Sequence, residues 1–313
     1  MIKSATGEPR IALALGSGSA RGWAHIGVIK GLKELGIEPE IVAGSSVGAL
    51  VGAAYAADEI DRLEAWTRKL TWKGIIKYLD PRLTGGGLIE GEKLTELVGQ
   101  YVGELHFEEL PRRLGTVATE LETGREIWFR EGRVIEAVRA SIGLPGLFTP
   151  LAHEGRWLVD GGLCNPVPVS LCRAMGAERV IAVNLNGDIL GRHFRRQGPV
   201  TRDKSELPEE LFWERVAGQL KSSLNARKEL LSSRLFGGGR EKPGLYEVLA
   251  SSINIMQDRI TRSRMAGDPP EIILTPRLSW LGLMEFDRAA LAIEEGHAAV
   301  QRMRPALEMM LEG

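Results

Sequence analysis

Gly44-Ser45-Ser46-Val47-Gly48 sets a serine between two glycines in the pattern G-x-S-x-G. In that pattern the serine sits on a sharp turn from a strand into a helix, and the flanking glycines, Gly44 and Gly48 here, let the backbone bend without side-chain clash. A hydroxyl held at Ser46 stands clear of the sheet edge and can attack an acyl carbon once a base removes its proton. A helix starting at Val47 would also aim its free N–H groups and positive dipole end at the reacting centre, where an acyl transition state gathers negative charge. The pattern alone is unselective in a chain with 38 glycines. Its setting is more telling: residues 40–43 read as strand and 47–57 as a helix apolar on every side, the order such an elbow requires. The structural alternative is that Ser45 or Ser46 only caps that helix.

A second turn of the same kind runs Gly16-Ser17-Gly18-Ser19-Ala20-Arg21-Gly22. Lying between a strand and a helix, its N–H groups form a concavity suited to an oxyanion or a phosphate. The dinucleotide fingerprint G-x-G-x-x-G fails because Arg21 takes the third glycine's place, and the phosphate-loop ending Gly-Lys-Ser/Thr is missing. As oxyanion donors for Ser46 these residues fit better, since neighbouring parallel strands end on the same side and their following loops converge. Arg21 would then fix the loop or meet a lipid phosphate, or else be a solvated arginine on a helix start.

A base is still needed. Of the five histidines, His297 completes the order Ser46, Asp160, His297 of a triad hydrolase, yet it lies in a helical segment expected at the surface. Asp160 is the stronger candidate. It ends the strand 156–160 and opens Asp160-Gly161-Gly162, where two glycines permit a tight turn and leave room beside the carboxylate.

The elements that must carry these residues can be read from periodicity. Residues 10–16 form a strand, 23–36 a helix, 40–43 a strand and 47–57 a buried helix, which together imply a parallel sheet with right-handed crossovers. Amphipathic helices follow at 59–72 and 91–104, separated by the glycine-rich loop 84–91. Strands at 114–120 and 126–129 join as a hairpin across Thr123-Gly124. Strands at 156–160, 179–185 and 271–275 complete an α/β sheet, and a helix at 287–311 closes the chain. Residues 187–243 lose strand signals and gain Arg and Lys. Leu211, Val216, Leu220, Leu224 and Leu231 recur there beside Lys221, Arg227, Lys228 and Arg234, as in a surface helix or one lying on a bilayer.

At 313 residues, with 43% hydrophobic and 26% charged, the composition is that of an ordinary globular chain, and a single domain over 1–313 is the expectation. A net charge of -1 gives no global attraction to nucleic acid or anionic membrane. No segment reaches the roughly 18 apolar residues of a spanning helix or resembles a signal peptide, so a cytoplasmic protein, at most peripheral at the inner membrane surface, is expected. Cys164 and Cys172 match neither a redox pair nor a zinc site, and no metal or cofactor is called for. Oligomeric state is not legible.

Taken together, LALGSGSARGWAHIGVIKGLKELGI at 13–37, GSSVGAL at 44–50, GLIEGEKL at 87–94, ASIGLPGLFTP at 140–150, LVDGGLCNPVPV at 158–169 and LMEFDRAALAIEEGHAA at 283–299 resemble the patatin-like phospholipase family. The resemblance is to its bacterial branch, similar to the catalytic domain of neuropathy target esterase. It implies a three-layer fold with a mostly parallel central sheet flanked by helices. It also implies a Ser46–Asp160 dyad that needs no histidine, an oxyanion hole in the Gly16–Gly22 loop, and a lipid ester as substrate. The chain departs from the family's usual glycine run at Ser17 and Ser19, which keep the N–H donors but give up any backbone angle open to glycine alone. Residues 187–243 match none of these motifs and are expected to be an insertion, a lid or a membrane contact. The competing readings are a phosphate- or nucleotide-binding module built on the Gly16 loop and an inactive lipid-binding relative.

Overall fold

The computed structural model describes residues 9–71, 87–89, 96, 99–100, 102–188 and 245–312. Of the expected insertion only Gly187 and Asp188 fall among these; the amphipathic run from Leu211 to Leu231 lies outside them, as does most of the predicted helix 91–104. The elements begin with β1 (Ile11–Leu15), a 3-10 turn (Ser19–Trp23), α1 (Ala24–Glu34), β2 (Ile41–Ser45), α2 (Val47–Ala56) and α3 (Ile60–Thr67). They continue with β3 (Gly87–Ile89), β4 (Arg113–Glu120), β5 (Glu126–Phe129), α4 (Val134–Ser141), β6 (Gly146–Phe148), β7 (Leu151–His153) and β8 (Arg156–Asp160). A 3-10 turn (Gly161–Leu163), α5 (Val169–Ala174), β9 (Arg179–Val183), α6 (Leu245–Gly267), β10 (Ile272–Leu274) and α7 (Ala289–Glu312) complete the order.

The strands pair in the order β10-β9-β1-β2-β4-β8-β7, with β5 also on β4. The pairs from β10 through to β4 are parallel, whereas β4–β5, β4–β8 and β7–β8 are antiparallel. Side-chain alternation along the strands builds three layers. Leu13 and Leu15 of β1 join Val42, Leu114, Ile181 and Val183 in a core shared with α1, α2, α4 and α7. Ala12 and Ala14 point the other way, into a core with Ala43, Val117 and Ala182 beneath Val169, Leu171 and Cys172 of α5. The sheet is thus apolar on both faces, as a sandwiched parallel sheet must be. Helix α2 is buried along its whole length, in keeping with a sequence that has no polar side.

The register on β4 positions the site. Val117 is bridged to Ser45 on one side and Trp128 on the other, and the next residue, Ala118, to Asp160 and Ile127. Since β5 occupies one edge at both positions, β2 and β8 must share the opposite edge. They run toward each other along it and stop at adjacent bridges, β2 at Ser45 and β8 at Asp160. Each chain then has to leave the sheet, and the two departures are side by side. Gly161 turns the chain away so tightly that a side chain there would begin 2.1 Å from the Val117 carbonyl oxygen and 2.9 Å from Ser45 Oγ.

Replacing Gly161 with Ala therefore forces backbone apart where the two strands meet. We expect chemical denaturation to register a loss of about 1–3 kcal/mol, the usual range for overpacking, with no comparable loss for Gly267→Ala at the exposed end of α6, where no atom lies within 4 Å of a new side chain.

Candidate active site

Ser46 follows the last residue of β2 and precedes the first of α2, with φ 57 and ψ -128. This backbone conformation is one L-residues rarely adopt and costs about 1–3 kcal/mol unless its surroundings impose it. They do so from both sides. The Ser46 N–H donates to Ser141 Oγ at 2.9 Å. Gly48, in the first turn of α2, lets the helix approach so closely that a side chain there would start 2.2 Å from the Leu15 carbonyl oxygen. Gly44 faces the Gly48 carbonyl and Gly22 the Val47 side chain at similarly short range. Residues 16–22 and the serine turn are therefore packed directly together at one end of the sheet.

The Ser46 hydroxyl donates to Asp160 Oδ2 at 2.6 Å, and the Gly162 N–H donates to Asp160 Oδ1 at 2.8 Å. The aspartate's backbone is held as firmly: its N–H donates to the Gly143 carbonyl at 3.0 Å, and its carbonyl accepts from Thr119 Oγ1 at 2.8 Å. Asp160 is 1% exposed and Ser46 8%. Burial pushes the Asp160 pKa up to about 6, against the pull of the hydrogen bonds from Ser46 and Gly162. A carboxylate of that basicity can take a proton from the hydroxyl in contact with it when an electrophile arrives.

In the glycine turn the expectation of a full set of free N–H groups narrows. Gly16 donates to the Val183 carbonyl, Ser17 to that of Pro166, Ala20 to that of Leu283 and Arg21 to that of Gly18. The N–H groups of Gly18 and Ser19 meet no acceptor among the described residues. The Val47 N–H, first in α2, has no carbonyl within its helix either. Planar peptides fix where these donors point, because each N–H is directed opposite the preceding carbonyl. The Gly18 carbonyl, in the same peptide as the Ser19 N–H, is pinned by the Arg21 N–H and by Arg21 Nε at 3.3 Å; at the start of the turn His25 Nε2 holds the Gly16 carbonyl at 2.7 Å, in the peptide of the bonded Ser17 N–H. Ser19 adopts φ 52, the left-handed angle thought to be reserved for glycine, while its hydroxyl donates to the Leu283 carbonyl at 2.6 Å.

Arg21 is not on a solvated helix start: it is 2% exposed, with Nη2 donating to Asn254 Oδ1 at 3.0 Å. Of its two expected uses, fixing the loop matches the geometry and meeting a lipid phosphate does not. His297 is not brought to the serine. It is half-exposed on α7 and bonded through Nε2 to Glu34 at 2.7 Å. The residues that sequence reasoning missed are Ser141, Gly143, His25, Asn254 and Gln257. Ser141 and Gly143 lie in the ASIG stretch already singled out, and His25 lies in the 13–37 segment, where it was a visible, though unplaced, polar residue. His25 is wholly buried, and desolvation lowers its pKa to about 4 despite the Gly16 hydrogen bond, so it is a neutral donor to that carbonyl.

Comparison with known proteins agrees with the motifs. Residues 13–173 match the family model described as patatin-like phospholipase. An uncharacterised NTE family protein of Mycobacterium tuberculosis is 34% identical over 96% of this chain and 93% of its own length. A protein named lysophospholipase NTE1 from Coccidioides immitis is 33% identical over 56% of this chain and 11% of its own. The human patatin-like phospholipase domain-containing protein 6 is 32% identical over 56% of this chain and 13% of its own.

Two stability measurements follow from the geometry. Ser141→Ala leaves the buried Ser46 N–H without an acceptor, and unfolding should register a loss of about 1–3 kcal/mol. Asp160→Asn keeps the shape and can still accept from the Gly162 N–H through Oδ1, with Nδ2 now donating to Ser46 Oγ, but it removes a buried charge. The folded-state pKa of Asp160 lies above its unfolded value of 3.8, so wild-type stability falls as pH rises from about 4 to about 6. Above pH 6 the Asn variant should be the more stable protein by about 3 kcal/mol, and below pH 4 the two should melt alike.

Proposed function

The chain belongs to the patatin-like phospholipase family, and on that premise we propose that it is a serine acyl-ester hydrolase acting on lipids through a Ser46–Asp160 dyad. One observation carries this reading: the hydroxyl of a conformationally strained serine in direct contact, at 2.6 Å, with a buried carboxylate of raised pKa. Asp160 Oδ2 takes the hydroxyl proton as Ser46 Oγ bonds to the ester carbonyl carbon. The carbonyl oxygen becomes an oxyanion, which the N–H groups of Gly18, Ser19 and Val47 stabilise at the positive end of α2. Collapse expels the alcohol, which takes the proton from Asp160, and leaves an acyl-enzyme. Water then repeats the sequence with Asp160 as base and releases the fatty acid.

A phospholipid or lysophospholipid is the substrate class in this reading, supported by the lysophospholipase among the relatives. Peripheral contact with a lipid surface belongs to it too. No helix among the described residues is long and apolar enough to cross a membrane, but α6 leaves Val248, Ile255 and Met256 exposed on one side, at helical spacing and next to exposed Arg259. The nucleotide-binding alternative loses ground because the N–H groups of Gly16, Ser17, Ala20 and Arg21 in the glycine turn are already bonded to carbonyls.

Reaction with a fluorophosphonate probe followed by mass spectrometry should label Ser46 and no other residue, and Ser46→Ala and Asp160→Asn should be silent and lose at least about 10³ in turnover of a lysophospholipid. His297→Ala should retain wild-type turnover. An unlabelled Ser46, or an active Asp160→Asn, would remove the basis for the proposal.

A further inference from the structure

Helix α6 buries the side of itself that is polar. Asn254, Gln257, Asp258 and Thr261 are each 6% exposed or less, while Ile255 and Met256 are about half exposed. Asn254 and Gln257 lie one turn apart and both reach the glycine turn, Asn254 at the Arg21 guanidinium and Gln257 at Ser17. Gln257 Nε2 donates to Ser17 Oγ at 3.1 Å, and its Oε1 accepts from Asn186 Nδ2 at 2.9 Å. The same two atoms, Ser17 Oγ and Gln257 Nε2, lie 2.6 Å from where a side chain on Gly162 would begin. Gly162 is the residue whose N–H holds Asp160 Oδ1. One hydrogen-bonded pair therefore touches both the turn that bears the Gly18 and Ser19 donors and the turn that bears the carboxylate.

We propose that Ser17 and Gln257 are a positioning pair that presets the N–H groups of the glycine turn against Ser46; the proposal rests on the hydrolase reading above. A glycine at position 17 would be held only by its N–H bond to Pro166. Serine adds a second attachment through its side chain, so the residue is fixed at two points on different atoms. The peptide that follows carries the Gly18 N–H, and a fixed Ser17 fixes the direction of that donor. Donors already aimed where charge will develop need no reorganisation during the reaction, which is the source of their effect on rate. Neither residue touches the reacting atoms. The loss on removing either should fall on the chemical step and leave substrate binding alone.

The test is a double-mutant cycle of Ser17→Gly and Gln257→Met, the latter preserving length and shape without the hydrogen bonds. The full-length chain is assayed on a soluble nitrophenyl ester, with the rate of Ser46 phosphonylation and the melting temperature measured alongside. Each single variant should lower kcat about tenfold with KM within about twofold, and phosphonylate more slowly; the double variant should be no worse than the poorer single. Amide hydrogen exchange of residues 16–19 should rise in both singles. Wild-type kcat in the variants, additive losses, or a rise in KM with kcat unchanged would overturn the pair. A wild-type protein that never reacts at Ser46 fails the hydrolase reading and the positioning role with it, whereas a reactive wild type matched by its variants fails the positioning role alone.

Discussion

Two strands approach each other along one edge of β4 and end at neighbouring bridges, Ser45 opposite Val117 and Asp160 opposite Ala118. An edge position cannot serve two chains at once, so both must turn out of the sheet at the same place. Every other feature of the site is arranged around that collision. The serine turn needs an abnormal φ to escape into α2. The aspartate turn needs Gly161, because any side chain would strike the Val117 carbonyl. The hydroxyl and the carboxylate then meet at 2.6 Å with no helix or loop brought in to bridge them. A pair fixed by sheet register is more rigid than one fixed by loop conformation, since shifting it by one residue would turn whole strands inside out.

The surrounding segments satisfy what the collision leaves exposed. The end of α4 supplies Ser141 to the Ser46 N–H and, two residues on, the Gly143 carbonyl to the Asp160 N–H. One short stretch of chain therefore sets the spacing of both partners through their backbones. Thr119, from β4 itself, holds the Asp160 carbonyl. The carboxylate is buried without a cation among its hydrogen-bond partners, and desolvation raises its basicity. That is costly for folding and useful for proton transfer, a common opposition where stability and chemistry meet.

Much of this was legible in the sequence where the physical signal is local and strong. The strands at 126–129 and 156–160 have the bounds their alternation and flanking glycines suggest, and the all-apolar run after Ser46 is the buried helix it reads as. Elsewhere the signal was absent or inverted. Strands β6 and β7 are three residues each, too short for a period of two to register. The ASIG stretch acts through a hydroxyl and a carbonyl, neither of which leaves a pattern. Helix α6 turns Asn254 and Gln257 inward and Ile255 and Met256 outward, so hydrophobic periodicity would assign the wrong face to the core. Arg21 looks like a solvated charge from its type alone, yet it is enclosed by the loop it braces. The serines at positions 17 and 19 look like losses of glycine freedom; each instead uses its hydroxyl as an attachment, to Gln257 and to the Leu283 carbonyl.

The central claim is that a buried aspartate, and no histidine, is the base. The dependence of kcat/KM on pH tests it most directly, measured in water and again with methanol added, which raises the pKa of a neutral acid and scarcely moves that of an imidazolium. The account predicts a rate that climbs through a single ionisation near 6 and a midpoint that moves upward in methanol. A midpoint that stays in place, or a rate flat across this range, would contradict it.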